Sequence, residues 1–172
     1  MKYILFISIM LLFFSCENDH TIILDTSEAR QSMKNANIVY TDSGHLQMVT
    51  FGKEVIMLDD SLETQIFPQT VRATFYNENG SISCVITADS AVNSHKEELM
   101  HLMKNVVIRN FNEGHTTYSE DFFWDQKKKI IYSNVTVLQV YDNGNRTKGT
   151  GFTANEDMSD FQIIKPRSLW QF

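Results

Sequence analysis

Five histidines, His20, His45, His95, His101 and His115, are where a general base or metal centre would be sought first. No pair has zinc-ligand spacing with a third donor nearby, so no metal site is expected. Asp121 and Asp125 flank an aromatic cluster, and paired carboxylates of this kind hydrolyse glycosidic bonds. Strand alternation sends both to the face opposite Phe122 and Trp124, which makes them a solvated face. Asp59-Asp60 falls on a turn after a strand, where consecutive carboxylates face solvent. The chain has no Gly-x-Ser-x-Gly elbow, phosphate-cradling glycine loop or dinucleotide fingerprint. No catalytic residue and no cofactor are expected.

The two cysteines carry different chemistry. Lys2 is followed by an uncharged apolar run from Tyr3 to Phe14, then Ser15-Cys16 and the polar Glu17-Asn18-Asp19-His20. One cation, a short apolar stretch and a small boundary residue make a secretory signal peptide over residues 1–15. The run is shorter than the ~20 apolar residues of a spanning helix. Phe13-Phe14-Ser15-Cys16 resembles a bacterial lipobox, in which the cysteine thiol is acylated and becomes the mature N-terminus. Cys16 is therefore the expected lipid anchor, and two or three acyl chains hold a protein to a membrane almost permanently. Cys84 is then alone in an oxidising compartment, where an exposed thiol is a liability. Its place in the alternating run Ile82-Ser83-Cys84-Val85-Ile86 predicts a buried, structural cysteine.

At 172 residues the chain has the length of a single domain. Lys plus Arg number 15 against 21 Asp plus Glu, a net charge of −6. That excludes a nucleic-acid binder working by bulk positive charge, and Lys127-Lys128-Lys129 reads as a solvated turn. Hydrophobic residues at 42% and aromatics at 12% are enough to fill a core.

Residues 16–36 are polar and predict a lipidated N-terminus and tether, with a short helix from Ser27. Residues 37–172 have a different texture, of short alternating runs between turn signals. Leu46–Val49, Val55–Leu58, Val71–Tyr76, Ser81–Ala88, Val106–Phe111, Thr117–Trp124, Val135–Tyr141 and Phe161–Ile164 have strand length. Ser43-Gly44, Asn79-Gly80, Glu113-Gly114 and Asn143-Gly144 separate them, and Asn-Gly is a strong hairpin signal. An all-β fold of antiparallel strands is expected.

A repeat of about 30 residues sharpens that expectation. Leu102-x-x-Asn105-Val106-x-Ile108 recurs as Ile131-x-x-Asn134-Val135-x-Val137. Ser119-x-x-Phe122-x-Trp124-Asp125 recurs as Gly149-x-x-Phe152-x-Ala154-Asn155, and Ala88-x-x-Ala91-x-Asn93 is a fainter copy. Register against Gln126 to Ser133 also puts the second half of Glu97–Lys104 on a strand, although its propensity is helical. The repeat gathers Val106, Ile108, Phe122, Trp124, Val135, Val137 and Phe152 on one side of the sheet. That face is either the core of a closed sandwich or an apolar trough open to acyl chains.

Together these residues resemble the LptC family, the membrane-anchored periplasmic component of the lipopolysaccharide export bridge. The resemblance runs from Ile38 to Lys165. It rests on Tyr40-Thr41-Asp42-Ser43-Gly44, on Phe67-Pro68 followed by Val71-x-x-Thr74-Phe75-Tyr76, and on Ile86-Thr87-Ala88-Asp89-Ser90-Ala91. Asn105-Val106-Val107-Ile108, Ser119-Glu120-x-Phe122-x-Trp124-Asp125 and Gly149-Thr150-Gly151-Phe152 complete it. Many members keep a transmembrane helix where this chain has Cys16, and a Thr-Glu-x-Leu-x-Trp where it has Ser119 and Phe122.

The resemblance implies a β-jellyroll slit open along one side, without catalytic activity, at the periplasmic face of the inner membrane. It implies that the N-terminal edge docks on the inner-membrane transporter (LptB with LptF and LptG). The C-terminal edge would pair strand to strand with an LptA-type bridge protein, and lipopolysaccharide acyl chains would pass along the trough. A surface-displayed adhesive lipoprotein, suggested by Glu17 and Asp19, is the competing expectation. An enzyme acting on envelope glycans would rest on Asp121 and Asp125 alone.

Overall fold

The structure is a computed structural model and describes residues 29–156 and 158–169. Twelve strands among them are β1 (Ala29–Asp42), β2 (His45–Leu58), β3 (Thr64–Phe67), β4 (Val71–Tyr76), β5 (Ile82–Ala88) and β6 (Ser90–Ser94). After them come β7 (Leu99–Asn110), β8 (His115–Asp125), β9 (Ile130–Tyr141), β10 (Arg146–Asn155), β11 (Phe161–Ile163) and β12 (Arg167–Leu169). They form one antiparallel sheet in the order β11-β10-β9-β8-β7-β5-β4-β2-β3-β6. β1 is added to β2, β12 to β10, and β6 also pairs with β7. The fold is all-β and jellyroll-like.

The long strands each serve two layers. β7 pairs β6 through Leu99–Met103 and β5 through Val107–Asn110. β2 likewise pairs β4 through Met48–Gly52 and β3 through Ile56 and Met57. Where a strand changes layer it must bend, and an extra residue in left-handed conformation is the usual way to bend it. In β7 that place is Lys104 and Asn105, at φ 64° and 48°. The corner is stitched by backbone N–H donations from Lys53 to Thr70, Thr70 to Asp89 and Asp89 to Lys104, at 3.2, 2.7 and 3.1 Å. Asn105 Nδ2 adds a bond to Asp89 Oδ2 at 2.7 Å. In β2 the corner residue is Gly52, where a Cβ would stand 2.8 Å from the Phe67 ring.

The core lies between the layers. Phe75 on β4 meets Trp124 on β8 edge to face, ring centroids 5.5 Å apart, although β5 and β7 separate their strands in the sheet. Phe122 and Phe152 meet the same way at 5.6 Å. Cys84 is buried in this core as its alternating run predicts, and burial pushes its thiol up to about 12.

Residues expected as tether depart from that reading. Ala29 to Asn37 belong to β1, which pairs with β2 from Leu58 to Phe51 with one register shift after Ala29, so neither a tether to residue 36 nor a helix from Ser27 describes them. Most of the described side chains of β1 are exposed, and among them only Met33, Ala36 and Ile38 pack on the core, so its sequence stays polar. Two expected strands, Leu46–Val49 and Val55–Leu58, are one continuous β2. Glu97–Lys104 is a turn leading into β7, as the repeat predicts and propensity does not. The signal peptide and Cys16 lie outside the described residues.

Candidate functional site

The inner face is built in rungs across β7, β8, β9 and β10. Met100, Trp124, Ile131 and Ala154 form one rung, each paired with the next across the sheet. Leu102 pairs Phe122, and Ser133 pairs Phe152, to make the next. Val106, Ser119, Val137 and Gly149 make a third, on the far side of the bends. Alternation along each strand brings these side chains inward, and cross-strand pairing sets them edge to edge.

Six of the seven residues expected on this face are there. Val106, Ile108, Phe122, Trp124, Val137 and Phe152 are all buried in one cluster. Val135 is the exception and is 41% exposed. The register between β8 and β9 slips between Ser119 and Phe123, and Asn134, Val135 and Thr136 are carried outward together. Ser119 is the cross-strand partner of both Val106 and Val137, so Val137 takes the place that the repeat assigns to Val135.

A cavity of about 320 Å³ opens at the Trp124 end, with Met48, Phe75 and Trp124 among its lining and Gln47, Gln126 and Lys129 beside them. That is the lower end of the ~300–1,000 Å³ range of small-ligand sites. Trp124 Nε1–H donates to Glu156 Oε1 at 3.1 Å, which fixes the indole plane at the cavity wall.

Four inward-facing polar residues escape sequence reading. Asn110, His115, Thr117 and Gln139 are buried at the other end of the rungs. Alternation counted back from Phe122 and Trp124 predicts the even-numbered residues of β8 inside. The register slip after Ser119 reverses that parity, so His115, Thr117 and Ser119 face inward instead. Asn110 Nδ2 donates to the Met158 carbonyl at 2.9 Å, and Tyr141 Oη donates to Gln139 Oε1 at 3.0 Å. Burial holds the His115 imidazole below its ordinary pKa, assisted by Arg109 and opposed by Glu113 and Asp142.

Asp121 and Asp125 point outward but do not act on each other. Asp121 Oδ2 lies 2.9 Å from His101 Nε2, whose ring stacks on Phe123. Asp125 accepts from the Lys128 ammonium at 2.6 Å, which holds its carboxyl below the usual range. Among the described residues no group of three or more His, Cys, Asp or Glu could hold a metal ion.

Comparison with known proteins decides the family. A family model for LptC-related lipopolysaccharide-assembly proteins matches residues 3–166. The chain belongs to the LptC-related family. No curated protein matches it. LptC-related proteins are transport components of the periplasm and inner membrane, and lipopolysaccharide transport is the process this chain serves.

Proposed function

We propose that the inner face of this LptC-related sheet accepts lipopolysaccharide extracted by the inner-membrane transporter LptB/LptF/LptG and passes it to an LptA-type bridge protein. One observation carries the reading: the sheet curls round an apolar face without closing edge to edge. β1 stands at one end, β11 and β12 stand at the other, and no pairing joins the two ends among the described residues. A seam of that kind lets acyl chains lie inside while sugars stay outside. Each methylene that leaves water for such a face gains about 0.8 kcal/mol, with no need for a catalytic group.

The two ends suit the two partners. β1 pairs only β2 among the described residues, so backbone donors and acceptors along its outer edge are available for strand addition. Cys16, acylated, tethers the chain close before β1 and keeps that edge at the periplasmic face of the inner membrane. The opposite edge, where the short strands β11 and β12 cover β10, would take the bridge protein.

Photocrosslinking in living cells tests the reading, with a light-reactive residue at Phe122 or at Trp124. A lipopolysaccharide adduct that disappears on energy depletion is the expected result. A folded, membrane-bound protein that yields no adduct from either site would make the inner face an ordinary closed core.

A further inference from the structure

The orphaned polar atoms at one end of the interior have no structural task. Thr117 Oγ1, Gln139 Nε2 and both ring nitrogens of His115 are buried without a hydrogen-bond partner. The Glu113 backbone lies near enough to His115 to favour its charged form, yet nothing meets either nitrogen in bonding geometry. Turning the Gln139 amide over would only exchange which of its atoms is unpaired, since Tyr141 occupies one of them. Thr117 and Gln139 are direct cross-strand partners, and so are His115 and Tyr141. These donors and acceptors therefore sit side by side on one patch. A fold selected only for packing would place valine or leucine here, because a buried unpaired polar group is destabilising.

The chemistry of the patch selects its ligand. Arg109, the nearest cation, turns away and is engaged by Asp142 through two bonds at 2.6 and 2.9 Å. Desolvation keeps the imidazole in its neutral form. A phosphate or carboxylate would find no counter-charge, whereas a hydroxyl, ester or amide oxygen would find donors and an acceptor together. Phe152 and Phe161 stack beside the patch, and Phe161 lies 4.6 Å from the His115 ring. A neutral oxygen flanked by hydrocarbon on both sides matches that surround. β11, which carries Phe161, is only Phe161–Ile163 and among the described residues pairs with β10 alone, so moving it breaks few bonds.

The geometry points to a neutral polar subsite at His115, Thr117 and Gln139 that reads an oxygen substituent on an acyl chain lying in the trough. The inference rests on the trough reading and goes beyond it, because a purely apolar trough would not distinguish acyl chains by their oxygen content. It gives the conduit a fixed register for its cargo: the oxygenated carbon stops at β8 and β9 while the tail extends towards Trp124.

The test uses the full chain in phospholipid nanodiscs with an equimolar mixture of two photoreactive tetradecanoic acids, one carrying a 3-hydroxyl group. Intact-mass analysis separates their adducts by one oxygen. We expect the hydroxylated chain to predominate by about three- to tenfold, the range of one or two hydrogen bonds. In the double variant Thr117→Val, Gln139→Leu the ratio should fall to about one through loss of the hydroxylated adduct, and Thr117→Val alone should lie between. Thr117→Val removes only an orphaned hydroxyl, so a melting temperature at or above that of the parent is expected for it. Equal adducts in the parent, as for a patch that holds only ordered water, or a preference that survives in the double variant, would sink the subsite and leave the trough standing. No adduct of either chain would remove the trough and the subsite together.

Discussion

Gly149 on β10 lies directly against Ile163 on β11, so close that a Cβ there would overlap the isoleucine side chain. The same Cβ would stand 2.9 Å from the Ile164 carbonyl oxygen and 3.3 Å from that of Lys165. The C-terminal segment thus covers the edge of β10 only because the residue beneath it has no side chain. Gly151, two residues on, adds a left-handed φ of 88° that lets β10 turn between its two short partners.

Gly149→Ala should therefore loosen this edge before it affects the core. The expected cost is about 1–3 kcal/mol, typical of overpacking a closed site. Amide exchange at Phe161–Ile163 should accelerate, while exchange in β7 and β8 stays slow. Uniform acceleration across all strands would show that the edge is not a separate unit of stability.

Cys84 gives a second prediction. With its thiol buried and pushed up to about 12, native protein at neutral pH carries almost no thiolate there. A maleimide or disulfide reagent should leave Cys84 untouched until denaturant is added. Labelling at a rate near that of a free thiol under native conditions would contradict the burial of β5.

How much of this was legible in the residues depends on what each strand shows the core. Val71–Tyr76 became β4 with the bounds that its alternation suggests, because one side faces the core and the other water. Asn79-Gly80 and Asn143-Gly144 mark real turns, with Gly80 and Gly144 at φ 81° and 88°. β1 was hidden because an edge strand shows little of itself to the core, and its Gln31, Ser32 and Lys34 read as a solvated segment. β10 was hidden by Gly149 and Gly151, which weaken a strand pattern while making the close packing possible. The inner face was read correctly at Phe122 and Trp124 and wrongly at Val135. Parity holds only as far as the next bulge, and nothing in the residue types announces the slip after Ser119.

His115 sets a third prediction, on pH. Its folded-state pKa is depressed below the ordinary 6.5, so the native state prefers the neutral ring. As pH falls through about 6.5 the unfolded chain takes up a proton first, and stability is lost until the folded pKa is reached. Above that window the effect vanishes. Melting temperatures between pH 7.5 and pH 5 should fall more steeply for the parent than for His115→Leu. Parallel curves for the two proteins would mean that the buried imidazole is already compensated by a partner.

The last prediction separates two residues that the repeat places on one face. Phe122 is fully buried, packed edge to face on Phe152, and Val135 faces outward. Phe122→Ala should cost about 3–5 kcal/mol, the range for a buried aromatic cut back to alanine. Val135→Ala should fall within about 0.5 kcal/mol of the parent. Urea titrations of both variants with a common m-value settle the comparison. If the apolar face opens readily to acyl chains, then a medium-chain fatty acid added to the Phe122→Ala protein should recover part of the loss, because the chain fills the space that the ring vacates. The same addition should leave Val135→Ala unchanged. Equal losses for the two variants would put Val135 back on the inner face and remove the register slip that moved it.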